Sequence, residues 1–269
     1  MPETHLAFVH RATEVLSRHP KLCGLAAGGS WINQNMDAFS DIDLVVVSPP
    51  EFEKEIASER RTIAESLGDL LVGFTGEHVG EPRLFICLYD HPLLHVDLKF
   101  ITLSDVEHRV ENPIVLWEKD KALSSVLART PYRFPLPDAQ WIEDRFWVWV
   151  HYAALKLGRG ELMECTDFLA FLRMQVLGPL ALMRNGKLPR GVRRVETETI
   201  TADFERLKKT VSSYDKAACG KAMLEAVELY RDLRAAQALP ALKINDRAEY
   251  QAIAFLKDVI NVIKKSGNE

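Results

Sequence analysis

Apolar residues recur at Leu6, Val9, Ala12 and Leu16. That spacing is helical and predicts a helix over residues 4–18. Residues 21–27 read as a short strand that ends in Gly28-Gly29-Ser30. Residues 42–47 (IDLVVV) are apolar and β-branched and predict a buried strand, stopped by Pro49-Pro50. Residues 51–67 predict a charged helix stopped by Gly68. Three strand-like runs follow, at 70–75, 84–89 and 94–101, the last two flanking the turn-forming Asp90-His91-Pro92. Residues 1–105 therefore read as a small mixed α/β unit.

Pro131, Pro135 and Pro137 then interrupt the chain, and such a stretch continues neither a helix nor a central strand. Beyond it the period changes. Residues 138–185 carry Leu, Ala, Met and Trp at helical spacing with breaks predicted near Gly158 and Gly178, and 201–238 and 246–265 predict further amphipathic helices. The predicted fold class is α+β, a small mixed-sheet domain at 1–130, a linker at 131–137 and an all-helical bundle domain at 138–269. The length of 269 residues is compatible with two domains of about 150 residues each.

Charge changes this picture little. Lys+Arg is 34 and Asp+Glu 38, a net −4 that argues against coating nucleic acid or an anionic membrane by bulk charge, though not against a local basic groove. Cys23, Cys87, Cys165 and Cys219 are scattered without a C-x-x-C pair, so a disulfide scaffold or a cysteine-only zinc site is not expected. The first twenty residues lack a signal-peptide pattern, and no stretch reads as about 18 consecutive apolar residues. The expectation is a cytoplasmic protein with no membrane partner.

The candidate chemistry lies between the first two strands. Gly28-Gly29-Ser30 follows a strand, and Asp41-Ile42-Asp43 begins eleven residues after the serine. On a strand Asp41 and Asp43 share one face, about 6–7 Å apart along the backbone. Ile42, Leu44 and Val46 take the other. Carboxylates this close repel unless a cation lies between them, and hard oxygen ligands select Mg2+ or Mn2+ shared with a substrate phosphate. A Gly-Gly-Ser turn offers unobstructed backbone N–H groups and a hydroxyl to phosphate oxygens. Together they are equipment for a nucleoside triphosphate with metal.

This Gly-Ser then Asp-x-Asp arrangement resembles the nucleotidyltransferase superfamily typified by DNA polymerase beta. The resemblance implies two Mg2+ ions on the aspartates, the triphosphate of ATP on the turn, and a third carboxylate on a later strand. Asp97 in His95-Val96-Asp97-Leu98-Lys99 fits, with His95 and Lys99 on its face and Leu94, Val96, Leu98 and Phe100 on the other. Within the superfamily the chain looks most like the aminoglycoside 6-adenylyltransferase type of antibiotic nucleotidyltransferase. The run from Asp144-Arg145-Phe146-Trp147 to His151-Tyr152, followed by Lys156, Arg159 and Glu161, is similar to the first helix of that family's helical domain. Ile114-Val115-Leu116-Trp117-Glu118 is similar to its segment before the linker. The loop between Ser30 and Asp41 departs from the resistance enzymes.

Lys156 and Arg159 share a helix side and are expected to neutralise triphosphate across an interdomain cleft. Arg190, Arg193 and Arg194 read as solvent-exposed, and Trp141, Trp147 and Trp149 as core residues more than stacking platforms. Glu143, Asp144, Glu161 and Glu164 are candidates for gripping a cationic acceptor. No His-Glu-x-x-His motif, Gly-x-Ser-x-Gly, Walker loop or Rossmann fingerprint is present. The resulting expectation is AMP transfer from ATP to a hydroxyl of a small molecule, with pyrophosphate leaving. The alternatives are a regulatory or toxin-like transferase acting on a protein or tRNA, and a nucleotide-binding module without turnover.

Overall fold

The computed structural model describes residues 1–237 and 241–266. The chain divides into two compact units, Met1–Pro135 and Leu136–Glu269. The architecture is α+β, a mixed sheet in the first unit followed by helices in the second.

The first unit runs α1 (Glu3–Ser17), β1 (Gly24–Ala27), β2 (Ile42–Ser48), α2 (Glu53–Glu65), β3 (Asp69–Gly76), β4 (Glu81–Asp90), β5 (Leu94–Thr102), β6 (Ile114–Glu118) and α3 (Ala122–Arg129). Among the described residues the strands form one six-stranded sheet in the order β3-β4-β5-β2-β1-β6. Neighbours pair antiparallel except β2 and β5, which run parallel. A parallel pair needs a long crossover, which α2 and the β3–β4 hairpin supply.

Strand alternation decides which face does what. Ile42, Leu44 and Val46 of β2 and Val96, Leu98 and Phe100 of β5 pack with Phe8 and Leu16 of α1 and Ile56 and Ile63 of α2. Burying that face turns Asp43, Val45 and Val47 to the other. There Val47 joins Ala26, Val106, Leu123 and Val126 in a smaller cluster under α3. β6 and α3 lie in a stretch for which the sequence pattern predicts no element. β6 is an edge strand of five residues without a buried one, so it lacks the alternation that marks β2 and β5.

The second unit contains α4 (Ala139–Arg159), α5 (Leu162–Leu172), α6 (Gly178–Arg184), α7 (Val195–Glu198), α8 (Thr201–Lys209), α9 (Lys216–Ala236) and α10 (Asp246–Ser266) around one apolar core. The Asp138 side chain starts α4 by accepting from the N–H groups of Gln140 and Trp141. The predicted break at Gly158 falls at Gly160 instead, whose φ of +77° suits the left-handed position that closes a helix. Nor does Gly178 break the helix. α5 continues into α6 through a π-type turn at Arg173–Leu177. Glycine stands there because an added Cβ would lie 2.4 Å from the Gly191 carbonyl oxygen. The helix expected over 201–238 splits into α8 and α9, since Asp215 caps a new N-terminus by accepting from Ala218 N–H. Residue 238 of that expectation, and residues 267–269 of the predicted helical domain, lie outside the described residues. Leu162–Arg184 has the length and apolar composition of a membrane span, contrary to the reading of the sequence, and 56% of its most apolar window is buried within the protein.

Candidate active site

The turn after β1 is tied to β2 by the Gly28 N–H, which donates to the Asp43 carbonyl oxygen at 2.9 Å. Gly29 has φ of +55°, and an added Cβ would sit 1.9 Å from Asp43 Oδ2. Both backbone conformation and space therefore require glycine at this position. Ser30 is 9% exposed, and its Oγ has no hydrogen-bond partner among the described residues. A buried hydroxyl left unpaired costs stability, so such an atom is available to a ligand or an ordered water.

Asp41 sits just before β2. The loop ahead of it is fixed locally: Phe39 N–H donates to Asp37 Oδ1 at 2.9 Å and Asp37 N–H to Ser40 Oγ at 3.0 Å. It is fixed globally by the buried His5 of α1, whose Nε2 donates to the Ser40 carbonyl at 2.8 Å. Asp97 enters from β5. The parallel register places Asp43 directly beside Asp97. Paired Cα positions in a sheet present their side chains on the same face. One oxygen from each of Asp41, Asp43 and Asp97 lies within 4.8 Å of the others. Burial pushes the Asp97 carboxyl above its ordinary range. His95, donating from Nε2 to Asp97 Oδ1 at 3.1 Å, pulls it back, and the charge of Asp41 raises it further.

These groups fit a divalent cation and a polyphosphate. Three half-buried carboxylates converge, the chemistry that hard metal ions satisfy. Beside them stands a glycine turn that a Cβ would fill, with the orphaned Ser30 hydroxyl. Below Asp43, on its face of the sheet, lies a cavity of about 280 Å³ lined by Gly28, Val45, Lys99, Ile101, His108 and Glu111 among others. Lys99 there pairs with Glu81 at 2.9 Å. Arg83 also holds Glu81, and its hydrogen bonds keep the Glu81 carboxyl down at about 2.

Searches against known proteins add the following. No family model matches the sequence, and no curated protein does. Among solved structures the chain is similar to an aminoglycoside 6-adenyltransferase from Bacillus subtilis at 16% identity, with 96% of this chain and 99% of that chain covered and a TM-score of 0.41. It is also similar to a nucleotidyltransferase-like protein from Exiguobacterium sibiricum 255-15 at 11% identity, with 98% and 92% covered and a TM-score of 0.39. At such identities the site is judged on its own geometry.

Gly28, Gly29, Ser30, Asp41, Asp43 and Asp97 thus come together in the first unit. Lys156 and Arg159 belong to the second, in the last turn of α4. Lys156 Nζ is 2.9 Å from both Glu161 and Glu164, and these two hydrogen bonds raise its pKa. Its charge is balanced within its own unit, whereas Arg159 is largely exposed, with Glu161 at 3.7 Å. Glu143 does not grip a ligand. It is fully buried and accepts from Trp147, Tyr230, Arg234 and the Asn245 N–H. Trp147 is core, while Trp141 is 43% exposed under the Arg145 guanidinium.

Three residues at the site escape the sequence pattern. His95 was legible only as a neighbour of Asp97 on the strand face. His5 reads as one position of an amphipathic helix, and Glu111 as a loop acid. Their roles come from contacts across 35 and 82 residues of chain, for which local spacing carries no signal.

Proposed function

We propose that the protein is a metal-dependent nucleotidyltransferase that moves AMP from ATP to a hydroxyl of a small molecule. The observation that supports it most is the convergence of Asp41, Asp43 and Asp97 beside a glycine turn with an orphaned serine hydroxyl. Asp41, Asp43 and Asp97 would hold two Mg2+ ions. Bound there, the ions would screen the triphosphate charge and acidify the attacking hydroxyl. The Gly28–Ser30 turn and the Ser30 hydroxyl orient the phosphates. His95 orients Asp97 through its hydrogen bond, and Asp97 is the group we assign to accept the hydroxyl proton. His5 holds Asp41 in place through the Ser40 carbonyl.

The acceptor class, a hydroxylated cation of the aminoglycoside kind, rests on the sequence resemblance at Asp144–Tyr152. Incubation with α-labelled ATP, Mg2+ and a panel of aminoglycosides, other small alcohols, lysate proteins and tRNA tests the proposal. Labelling of a small molecule, lost in Asp41→Ala, is the expected result. Labelling of protein or tRNA alone moves the acceptor to a macromolecule. Absence of any labelled product, with equal ATP–Mg2+ binding by wild type and Asp43→Ala, overturns the reading.

A further inference from the structure

Two arginines that line one cavity at the far end of the sheet are treated differently by the fold. Arg83 of β4 donates from Nε and Nη2 to the two oxygens of the Glu81 carboxylate, each at 2.8 Å. That planar fork matches a carboxylate two to two. Arg60 of α2 donates from Nη1 to the Pro82 carbonyl oxygen at 2.8 Å, and its guanidinium lies 5.8 Å from the centre of the buried Phe100 ring. Its Nε is buried with no hydrogen-bond partner, and among the described residues no carboxylate stands on the edge that Arg83 gives to Glu81. The hydrogen bonds with Glu81 raise the pKa of Arg83, whereas burial lowers that of Arg60. Arg60 is thus a partly buried cation whose carboxylate-binding edge is open.

The cavity has a volume of about 180 Å³ and is walled by Ser48, Lys54, Ile56, Phe100 and Thr102 beside Arg60. That is many times the space one water requires. Ser48 and Thr102 pair across β2 and β5, five residues beyond the pair Asp43 and Asp97. At about 3.3 Å per residue the cavity lies roughly 16 Å from the carboxylate cluster, at the other end of the same two strands. Its charges leave room for one anion. Arg83 reaches Asp105 at 3.2 Å and Glu81 at 2.8 Å, and Lys99 holds Glu81 at 2.9 Å, a network of two cations and two acids that closes on itself. Of the other lining charges Glu53 and Lys54 cancel in sum, which leaves Arg60. Glu77, Glu81 and Glu53 act on Arg60 only from beyond ion-pair distance, and Arg83 opposes them.

We infer that this cavity is a second ligand site, one that takes a small monocarboxylate with an apolar body. The two carboxylate oxygens take the Nε and Nη2 donors of Arg60, and the body lies along the apolar wall of Ile56, Ala57 and Ile101. The covered Nε becomes reachable by a small turn of this long side chain, which no ion pair holds among the described residues. Lys54, exposed and without an ion pair among the described residues, adds attraction at the rim. Phosphate brings a second charge that the cavity does not balance and has no apolar part to bury against the wall. The inference stands apart from the nucleotidyltransferase reading, since it uses none of the residues of the carboxylate cluster.

The test is calorimetric titration of the full chain in EDTA with benzoate, isovalerate and inorganic phosphate, and no nucleotide, so its result is independent of any transferase activity. Wild type, Arg60→Lys, Arg60→Gln, Lys54→Gln and Asp97→Asn are compared, with unfolding midpoints to confirm folding. Lysine keeps the charge of Arg60 and removes the fork, and it remains informative should the glutamine variant fail to fold. The expected result is saturable binding of at least one of the two acids to a single site on wild type, with phosphate weaker by about tenfold or more. Both Arg60 variants should lose about tenfold or more in affinity, the value of a charge-assisted bidentate contact, and Lys54→Gln about threefold or less. Asp97→Asn should bind as wild type does. Absence of saturable binding of either acid overturns the site. Undiminished affinity in Arg60→Lys shows that charge alone holds the ligand and overturns the fork. Phosphate binding as tight as that of the acids overturns the ligand class, and a loss of affinity in Asp97→Asn overturns the assignment to this cavity.

Discussion

Replacing Asp97 by asparagine separates a metal centre from an incidental group of acids. Oxygens of Asp41, Asp43 and Asp97 lie within 4.8 Å of one another, where two unit charges repel by about 1 kcal/mol in a water-like medium and about 3.5 kcal/mol at an effective dielectric constant near 20. Asparagine removes the repulsion of position 97 with both other aspartates and keeps an acceptor for His95. It forfeits the charge assistance of that bond, worth roughly 0.5–1 kcal/mol for a half-exposed histidine. The metal-free variant should therefore be more stable than wild type by about 1–6 kcal/mol, a rise in Tm of roughly 3–18 °C for a unit of this size. With Mg2+ the gap narrows, and the order reverses where the starting difference is smaller than the metal's contribution. At a metal concentration a hundredfold above Kd the wild type gains about 2.7 kcal/mol, and the variant, short of a ligand and a charge, gains far less. Thermal unfolding of both proteins in EDTA and across a Mg2+ titration, followed by circular dichroism, reads this change. A variant less stable than wild type in EDTA, or one with an undiminished Mg2+ shift, would refute the argument that these carboxylates are held together for a cation.

Other outcomes follow from single contacts. Gly29→Ala places a Cβ against Asp43 Oδ2 and forces alanine to a φ of +55°, so about 1–3 kcal/mol of stability should be lost in denaturant titration. Transferase activity should fall at least a hundredfold alongside it. Ser30→Ala removes a buried hydroxyl that has no partner within the described residues, so stability should hold or rise slightly, while KM for ATP rises by up to about tenfold, the value of one hydrogen bond. Glu81 has its folded-state pKa lowered to about 2 from 4.5, chiefly by hydrogen bonds from Arg83. A lowered carboxylate pKa stabilises the fold above the unfolded value and ceases to do so as pH falls through the folded one. Urea midpoints should thus decline from pH 4.5 towards 2, and Glu81→Gln should flatten that decline.

Local pattern was sufficient for much of this protein. The alternation of Ile42, Leu44, Val46 against Asp43, and of Val96, Leu98, Phe100 against Asp97, exposes both strands and the direction of both aspartates, because a strand must bury one face and the period of two assigns the rest. Gly-Gly-Ser announces a tight turn for the same local reason. Helix ends were less legible: Gly158, Gly178 and Asp215 acquire their meaning from the left-handed Gly160, from the close approach of Gly191 and from a capped N-terminus. The pairing partners were not legible at all. That β2 and β5 run side by side in parallel, that α2, β3 and β4 intervene between them, and that Asp43 stands beside Asp97 are facts of register. Register is set by side chains meeting across the sheet, and no spacing along one strand contains it. The same holds for His5 under Ser40 and Glu111 on Gly29, where hydrogen bonds join distant segments. Sequence alone determined where the glycine turn and the strand acids lie, because both are local patterns; the tertiary structure decided which of them meet and that Glu111 accepts from the Gly29 N–H, because those contacts join distant segments.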